Sequence, residues 1–241
     1  MTKFVAVISG KGGVGKTTAT LNLGTALTGF GREVVVVDAN LSNPNIALHL
    51  GTPKLPITLH DALKGKKHIT ETAYLHPSGL KIIPSSIALE DWNEDHIEKL
   101  RENLLGLMGT CELVLLDCPP GLGKECQTVL KIADEALIVT NPELPAVADA
   151  LKVKKLAEKE GCNILGILVN RYAEHTGAMD LESMEAMLEV PILGVIPEDA
   201  MARKALALKH PLVYTHPESA AAIEFKKVAA KLVGHQYKEK L

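Results

Sequence analysis

Phe4-Val5-Ala6-Val7-Ile8-Ser9-Gly10-Lys11-Gly12-Gly13-Val14-Gly15-Lys16-Thr17-Thr18 is the stretch that decides the fold. An aliphatic run of this length reads as a buried strand. The residues from Gly10 to Thr17 match G-x-x-x-x-G-K-[ST] in full, and a helical pattern follows at once. Strand, glycine-rich loop and helix in that order make a phosphate cradle. The glycines let consecutive backbone N–H groups turn inward, and the helix aims its positive end at the same place. Lys16 is placed to reach the β- and γ-phosphates of a nucleotide, and Thr17 to offer a hydroxyl to Mg²⁺. The candidate ligand set here is Gly10, Lys11, Gly12, Gly13, Val14, Gly15, Lys16, Thr17 and Thr18.

Working outward, short apolar runs alternate with longer helical patterns. The expected strands are 4–9, 33–37, 79–83, 113–116, 135–140, 163–169 and 191–196. The expected helices are 17–29, 96–108, 124–133, 145–160, 180–188, 199–208 and 218–233. Alternation of this kind predicts βαβ units: an α/β fold with a mainly parallel twisted sheet and helices on both faces, a three-layer P-loop NTPase sandwich. Between Asn43 and Leu75 the pattern is broken by Pro44, Pro53 and Pro56. No long linker divides the 241 residues, so one domain over 1–241 is expected.

Composition bounds the function. Aromatic residues are 3%, which leaves an aliphatic core of the sort that parallel strands need. The net charge of -3 gives no global reason to expect nucleic acid. Cys111, Cys118, Cys126 and Cys162 form no C-x-x-C pair, which reads as a reduced, cytoplasmic chain. No run is long enough to span a membrane. The histidines, among them His49, His60, His68 and His76, have no ligand spacing and read as packing or surface groups.

Lys11 is not needed to wrap a phosphate. It is either a solvated loop lysine or a second cation aimed at phosphate charge, and an inserted arginine of that type is worth roughly 10³–10⁵ in phosphoryl transfer. With this lysine, Lys11-Gly12-Gly13-Val14-Gly15-Lys16-Thr17-Thr18 resembles the deviant Walker A motif of the MinD/ParA ATPases, and most closely the archaeal-type MinD-like members. The resemblance runs over nearly the whole chain. It implies ATP or ADP with Mg²⁺ as ligands, a homodimer in the ATP state, and Lys11 reaching across to the partner's nucleotide. It makes Asp38 the start of the first switch, with Asn45 further along it. Asp117 matches the Walker B aspartate, a metal residue with Thr17, in part through water. Pro119-Pro120-Gly121 then resembles the second switch. An acidic residue at the carboxyl end of a buried strand does lie on the ligand-binding edge of such a sheet, although Asp38 also suits a helix cap and Asp117 a turn.

The resemblance also implies base-side residues. Glu143 matches a residue reaching the ribose across the dimer, and Asp149 one near the signature lysine. Asn170 matches an adenine-reading asparagine, followed by Arg171, and Pro197, Glu198 and Asp199 fall beside the base. An amide can pair with both N6 and N7 of adenine, which favours ATP.

Two features depart from the family pattern. Members usually carry D-x-D in the first switch, whereas this chain has Asp38-Ala39-Asn40. Asn40 can orient water but cannot act as a base, so slow ATP hydrolysis is expected, with Lys11, Lys16, Asp38 and Asn40 as the catalytic candidates. At the C-terminus, Ala222, Phe225, Val228, Ala229, Leu232 and Val233 form a mild stripe with Lys226, Lys227 and Lys231 elsewhere. It reads as a packed final helix rather than an interfacial one, with a polar tail from His235 to Leu241 and at most weak, peripheral membrane contact. The expected function is a MinD-like molecular switch that recruits an unidentified protein partner for spatial positioning, as in cell division. A ParA-like DNA partitioner would need a basic face from Lys152, Lys154, Lys155 and Lys159 or from Lys64, Lys66 and Lys67, which read better as solvated charges. A nucleotide-gated module with little hydrolysis stays open because of Asn40. An iron–sulfur carrier is disfavoured, since Cys118 and Cys126 lie eight residues apart in a segment that reads as loop and helix.

Overall fold

The computed structural model describes residues 2–173, 177–235 and 237. In chain order the elements are β1 (Lys3–Ile8), α1 (Lys16–Gly29), β2 (Val34–Asp38), α2 (Ile46–His49), α3 (Leu59–Leu63), β3 (Tyr74–Leu75), β4 (Lys81–Ile83) and α4 (Asp95–Leu105). There follow β5 (Leu113–Asp117), α5 (Lys124–Leu130), β6 (Glu135–Thr140), α6 (Leu144–Lys159), β7 (Asn163–Tyr172), α7 (Leu181–Leu188), β8 (Ile192–Pro197), α8 (Ala200–Leu208), α9 (Leu212–Thr215) and α10 (Ala220–Leu232).

The eight strands form one sheet in the order β3-β4-β2-β5-β1-β6-β7-β8. All neighbouring pairs are parallel except the two-residue hairpin partner β3, which runs antiparallel to β4 at the edge. The central strands are Val/Leu/Ile runs buried on both sides, as βαβ crossovers require. One core cluster joins α3, α4, α5, α6 and α7 to one face of the sheet. A second joins α1, α8, α9 and α10 to the other. The expected three-layer arrangement is therefore the observed one.

The differences from the sequence reading are local. The broken region from 43 to 75 holds α2, α3 and a 3₁₀ turn at Ile69–Thr72. These pieces are too short to show a 3.6-residue stripe. α3 starts with a reciprocal cap in which Asp61 accepts from the Thr58 backbone N–H at 2.9 Å. β7 runs on to Tyr172, so Asn170 and Arg171 sit within a strand rather than after it. α9 has no counterpart in the expected helices, because Pro211 and a four-residue length hide it.

The C-terminal stripe is packed. Ala222, Phe225, Val228 and Ala229 of α10 are buried in the cluster shared with α1, and Lys231 donates to the Leu193 carbonyl at 2.7 Å. That face is thus covered by protein. No helix among the described residues is long and apolar enough to cross a membrane. Of the polar tail, residues 236 and 238–241 lie outside the described residues.

Candidate functional site

β1 connects towards β2 and its neighbour β5 connects towards β6, so the two connections leave in opposite directions at the carboxyl ends of adjacent strands. In an open parallel sheet a crevice forms there. The loop after β1 fills it. Gly13 has φ 79° and Gly15 φ 92°, both in the left-handed region that glycine adopts without strain. At Gly15 the approach is also too close for a side chain, since a Cβ would lie 2.1 Å from Asn170 Nδ2. At Gly10 a Cβ would fall 2.0 Å from the Asp149 carbonyl oxygen, so α6 packs directly on the start of the loop.

Lys16 and Thr17 open α1 with buried side chains. Lys16 Nζ donates to Asp117 Oδ1 at 2.9 Å, and Thr17 Oγ1 donates to Asp117 Oδ2 at 2.6 Å. Burial alone would pull the Lys16 ammonium down, but the charge and hydrogen bond of Asp117 prevail and its pKa is raised. Sheet register explains a further pairing. Asp38 and Asp117 are direct partners across the parallel β2–β5 ladder, which puts two carboxyls on one edge. Burial and Asp117 together push the Asp38 carboxyl up to about 8, against the pull of Lys16 and of N–H donors from Ile46 and Asn45.

Asp38 organises the loop that follows β2. Its Oδ2 accepts from Asn45 N at 3.0 Å and Ile46 N at 2.9 Å, and its Oδ1 from Asn40 N at 3.3 Å. The Asn43 carbonyl accepts from the side-chain amides of both Asn40, at 2.6 Å, and Asn45, at 2.7 Å. Asn40 Oδ1 is buried with no hydrogen-bond partner among the described residues. Asn40 lines the cavity, so its oxygen is an acceptor in want of a donor at the phosphate end.

The cavity has a volume of about 660 Å³ and extends from Lys16 and Thr17 past Asn170 to Pro197, Glu198 and Asp199. Gly12, Gly13, Gly15, Thr18 and Arg171 also line it. The end of the cavity formed by β7 and β8 is braced by its own residues. Asn170 Nδ2 donates to the Val14 carbonyl at 2.7 Å, and Arg171, at φ 55°, donates to the Gly13 carbonyl at 2.8 Å and to Asn141 Oδ1 at 2.9 Å. Asp199 caps α8 through Met201 N at 2.8 Å and accepts from Ala221 N of α10 at 3.1 Å. Glu198 pairs with Arg203 at 3.3 Å.

Four of the named residues do not line the cavity. Lys11 is exposed and does not line the cavity served by Lys16. Gly10 abuts Asp149, and Val14 is buried in the core with its carbonyl accepting from Asn170. Glu143 is the exposed N-cap of α6, outside the cavity.

Some residues around the site are not assigned a role there by the sequence. Asn141 donates to the Asn170 carbonyl at 2.7 Å. Asn22 joins α1 to α9 by accepting from Val213 N at 2.8 Å. His210, Leu212 and Phe225 line the far end. Each acquires its role only through distant partners. The cysteines are buried, with the Cys126 thiol pushed up to about 12 by burial. No group of three metal-ligating side chains is found among the described residues.

The cradle fits its expected ligands. Positive-φ glycines aim backbone at a phosphate, and the adjoining oxygens of Thr17 and Asp117 suit a hard divalent cation. A glycine-cradled anion site at the switch point of a mainly parallel sheet defines a P-loop nucleotide-binding protein. Comparison with known proteins carries this further. The ParA family, described as NUBPL iron-transfer P-loop NTPase, matches residues 1–233. An uncharacterized ATP-binding protein of Methanocaldococcus jannaschii is 40% identical over 237 residues, which is 98% of this chain and 90% of the relative. The septum site-determining protein MinD of Pyrococcus horikoshii, complexed with Mg-ADP, superposes with a TM-score of 0.91 at 36% identity over 96% of each chain. The MinC:MinD cell division complex of Aquifex aeolicus gives 0.81 at 30% identity, covering 99% of this chain and 98% of the other. The chain belongs to the MinD/ParA family of P-loop ATPases.

Proposed function

We propose that the protein is an ATP-driven dimerisation switch that recruits a protein partner, in the manner of MinD. The observation that carries this reading is the separation of two lysines within one loop. Lys16 points into its own cavity and is held by Asp117 at 2.9 Å, whereas Lys11 is exposed beside it. A cation placed so serves a phosphate brought by a second copy, and two lysines per site offset the charge that ATP carries into an interface. Glu143, exposed on the same sheet edge, would meet the partner's ribose in that arrangement.

Within one protomer, the loop N–H groups and Lys16 bind the phosphates, and Asn170 presents its amide oxygen to the adenine amino group while its N–H stays on Val14. Thr17 and, in part through water, Asp117 would hold Mg²⁺, which neutralises charge on the β- and γ-phosphate oxygens. Asp38 keeps the first switch loop folded against this site. Asn40 offers its unpaired Oδ1 to an attacking water as acceptor, but a neutral amide takes no proton, so hydrolysis is slow. The likeness to a MinC:MinD complex supports a protein partner. The burial of Cys118 and Cys126 weighs against a surface-bridged iron cargo. Cell-division positioning is the biological setting that the MinD likeness favours.

The test is solution mass by light scattering in Mg-ATP and in Mg-ADP. A dimer in Mg-ATP alone, persisting for many minutes and absent in Lys11→Ala, is expected. A monomer in both nucleotides, or an unchanged ATP dimer in Lys11→Ala, removes the cross-subunit role.

A further inference from the structure

We propose that Glu125 is a positioning residue that couples the two switch loops of this site, because its carboxylate, carried by the helix after the second switch, holds the Leu41–Ser42 turn of the first. Glu125 lies in the first turn of α5 yet is only 8% exposed. A glutamate there would ordinarily face solvent and favour the helix dipole. Here Oε1 accepts from the backbone N–H of Leu41 and from that of Ser42 at 3.2 Å, and Oε2 accepts from Ser42 Oγ at 2.9 Å. Both oxygens are spent on a loop 83 and 84 residues away in sequence.

The first switch loop is thus gripped by two acidic side chains. Asp38 holds its far end through Asn45 and Ile46, and Glu125 holds the residues directly after Asn40. The Leu41 side chain is buried in the same core cluster as Cys126 and Val129, so the grip is packed as well as hydrogen-bonded. On the other side, Glu125 follows Pro120, which lines the cavity, and Gly121, whose N–H donates to the Ser9 carbonyl at 2.9 Å. A shift of residues 118–123 towards or away from a phosphate therefore moves Glu125, and with it the peptide that orients Asn40. Charge-assisted bonds to backbone N–H groups are strong and directional, which suits a link that must transmit displacement. The proposal rests on the reading of Asn40 and the cavity given above, and it explains how a loop with a neutral amide at that position is kept in place.

Hydrogen exchange on the full chain tests it, in wild type, Glu125→Gln and Glu125→Ala, with and without Mg²⁺ and the slowly hydrolysed analogue ATPγS. In the substituted proteins the Leu41 and Ser42 amides should exchange at least about tenfold faster than in wild type. The analogue should slow exchange over 118–123 in all three proteins but over 39–46 in wild type only. Steady-state ATP turnover of Glu125→Gln should fall about tenfold with KM within about twofold, the pattern of lost positioning rather than lost binding. Glu125→Gln keeps the volume and one acceptor, so it carries the test if Glu125→Ala does not fold. Unchanged exchange at residues 41 and 42, or two loops that still respond together in Glu125→Gln, overturns the coupling. If wild type stays monomeric in Mg-ATP while the two loops uncouple in Glu125→Gln, the dimer reading fails and the coupling stands.

Discussion

The two ends of the nucleotide cavity are built on different principles. At the phosphate end, Lys16, Thr17 and the loop glycines are contiguous, and one distant residue, Asp117, completes their pairing. At the base end, Asn170, Arg171, Pro197, Glu198 and Asp199 come from two strand ends, and most of their polar atoms are engaged in holding the structure itself. Asp199 links α8 to α10, and Asn170 and Arg171 grip carbonyls of the phosphate loop. The contrast shows where binding chemistry and architecture share residues. A ligand at the phosphate end has to draw Lys16 from Asp117, whereas one at the base end meets groups already committed.

Substitution tests this contrast most sharply at Asp117. Asp117→Ala leaves the Lys16 ammonium buried without its partner, and loss of one member of a buried pair costs about 3–5 kcal/mol. Urea unfolding of the nucleotide-free protein should show a loss of that size. A loss under about 1 kcal/mol would mean that Lys16 finds water or another partner, and that the phosphate end is looser than its pairing implies.

A smaller effect is expected in the pH dependence of stability. Asp38 has its pKa raised to about 8 in the folded chain, so between that value and its ordinary range near 3.8 the folded state holds a proton that the unfolded state has lost. Its contribution is full below the unfolded pKa and is lost as pH rises towards 8. His60 and His76, held down to about 4 by burial and by a neighbouring histidine, act in the opposite sense as the protein is acidified. The wild type minus Asp38→Asn difference removes them. It should fall with rising pH between 5 and 7 by up to about 1.4 kcal/mol per pH unit. A flat difference would show that the donors from Ile46 and Asn45 keep Asp38 ionised.

The smallest effect is placed at the base end. Asn170→Ala should weaken ATP binding about tenfold, the worth of roughly one hydrogen bond, and narrow the preference for ATP over GTP. Titration with fluorescent analogues of both nucleotides measures it. Equal loss for ATP and GTP would make Asn170 a brace for Val14 and nothing more.

Much of this was legible in the chain itself. The motif from Gly10 to Thr17 works through backbone conformation, which contiguous residues control, and the alternation of aliphatic strands with amphipathic helices dictates a mainly parallel sheet. The placement of Asp38 and Asp117 at strand ends was readable for the same reason. Short elements such as α2, α3 and α9 were not, because four or five residues carry no periodic signal. Nor could sequence show that β7 continues through Asn170, since that extension is set by pairing with β6 and β8.

The phosphate cradle, the fold class and the presence of two lysines in one loop follow from the order of residues along the chain. Tertiary structure alone decided which groups face one another across long separations. The β2–β5 register sets Asp38 beside Asp117, α6 packs on Gly10 while Lys11 stays exposed outside the cavity, and the burial of α5 brings Glu125 to Leu41 and Ser42. Backbone conformation is a property of neighbours in the chain. Hydrogen-bond partners and carboxyl pKa values are properties of neighbours in space, and only the folded sheet supplies those.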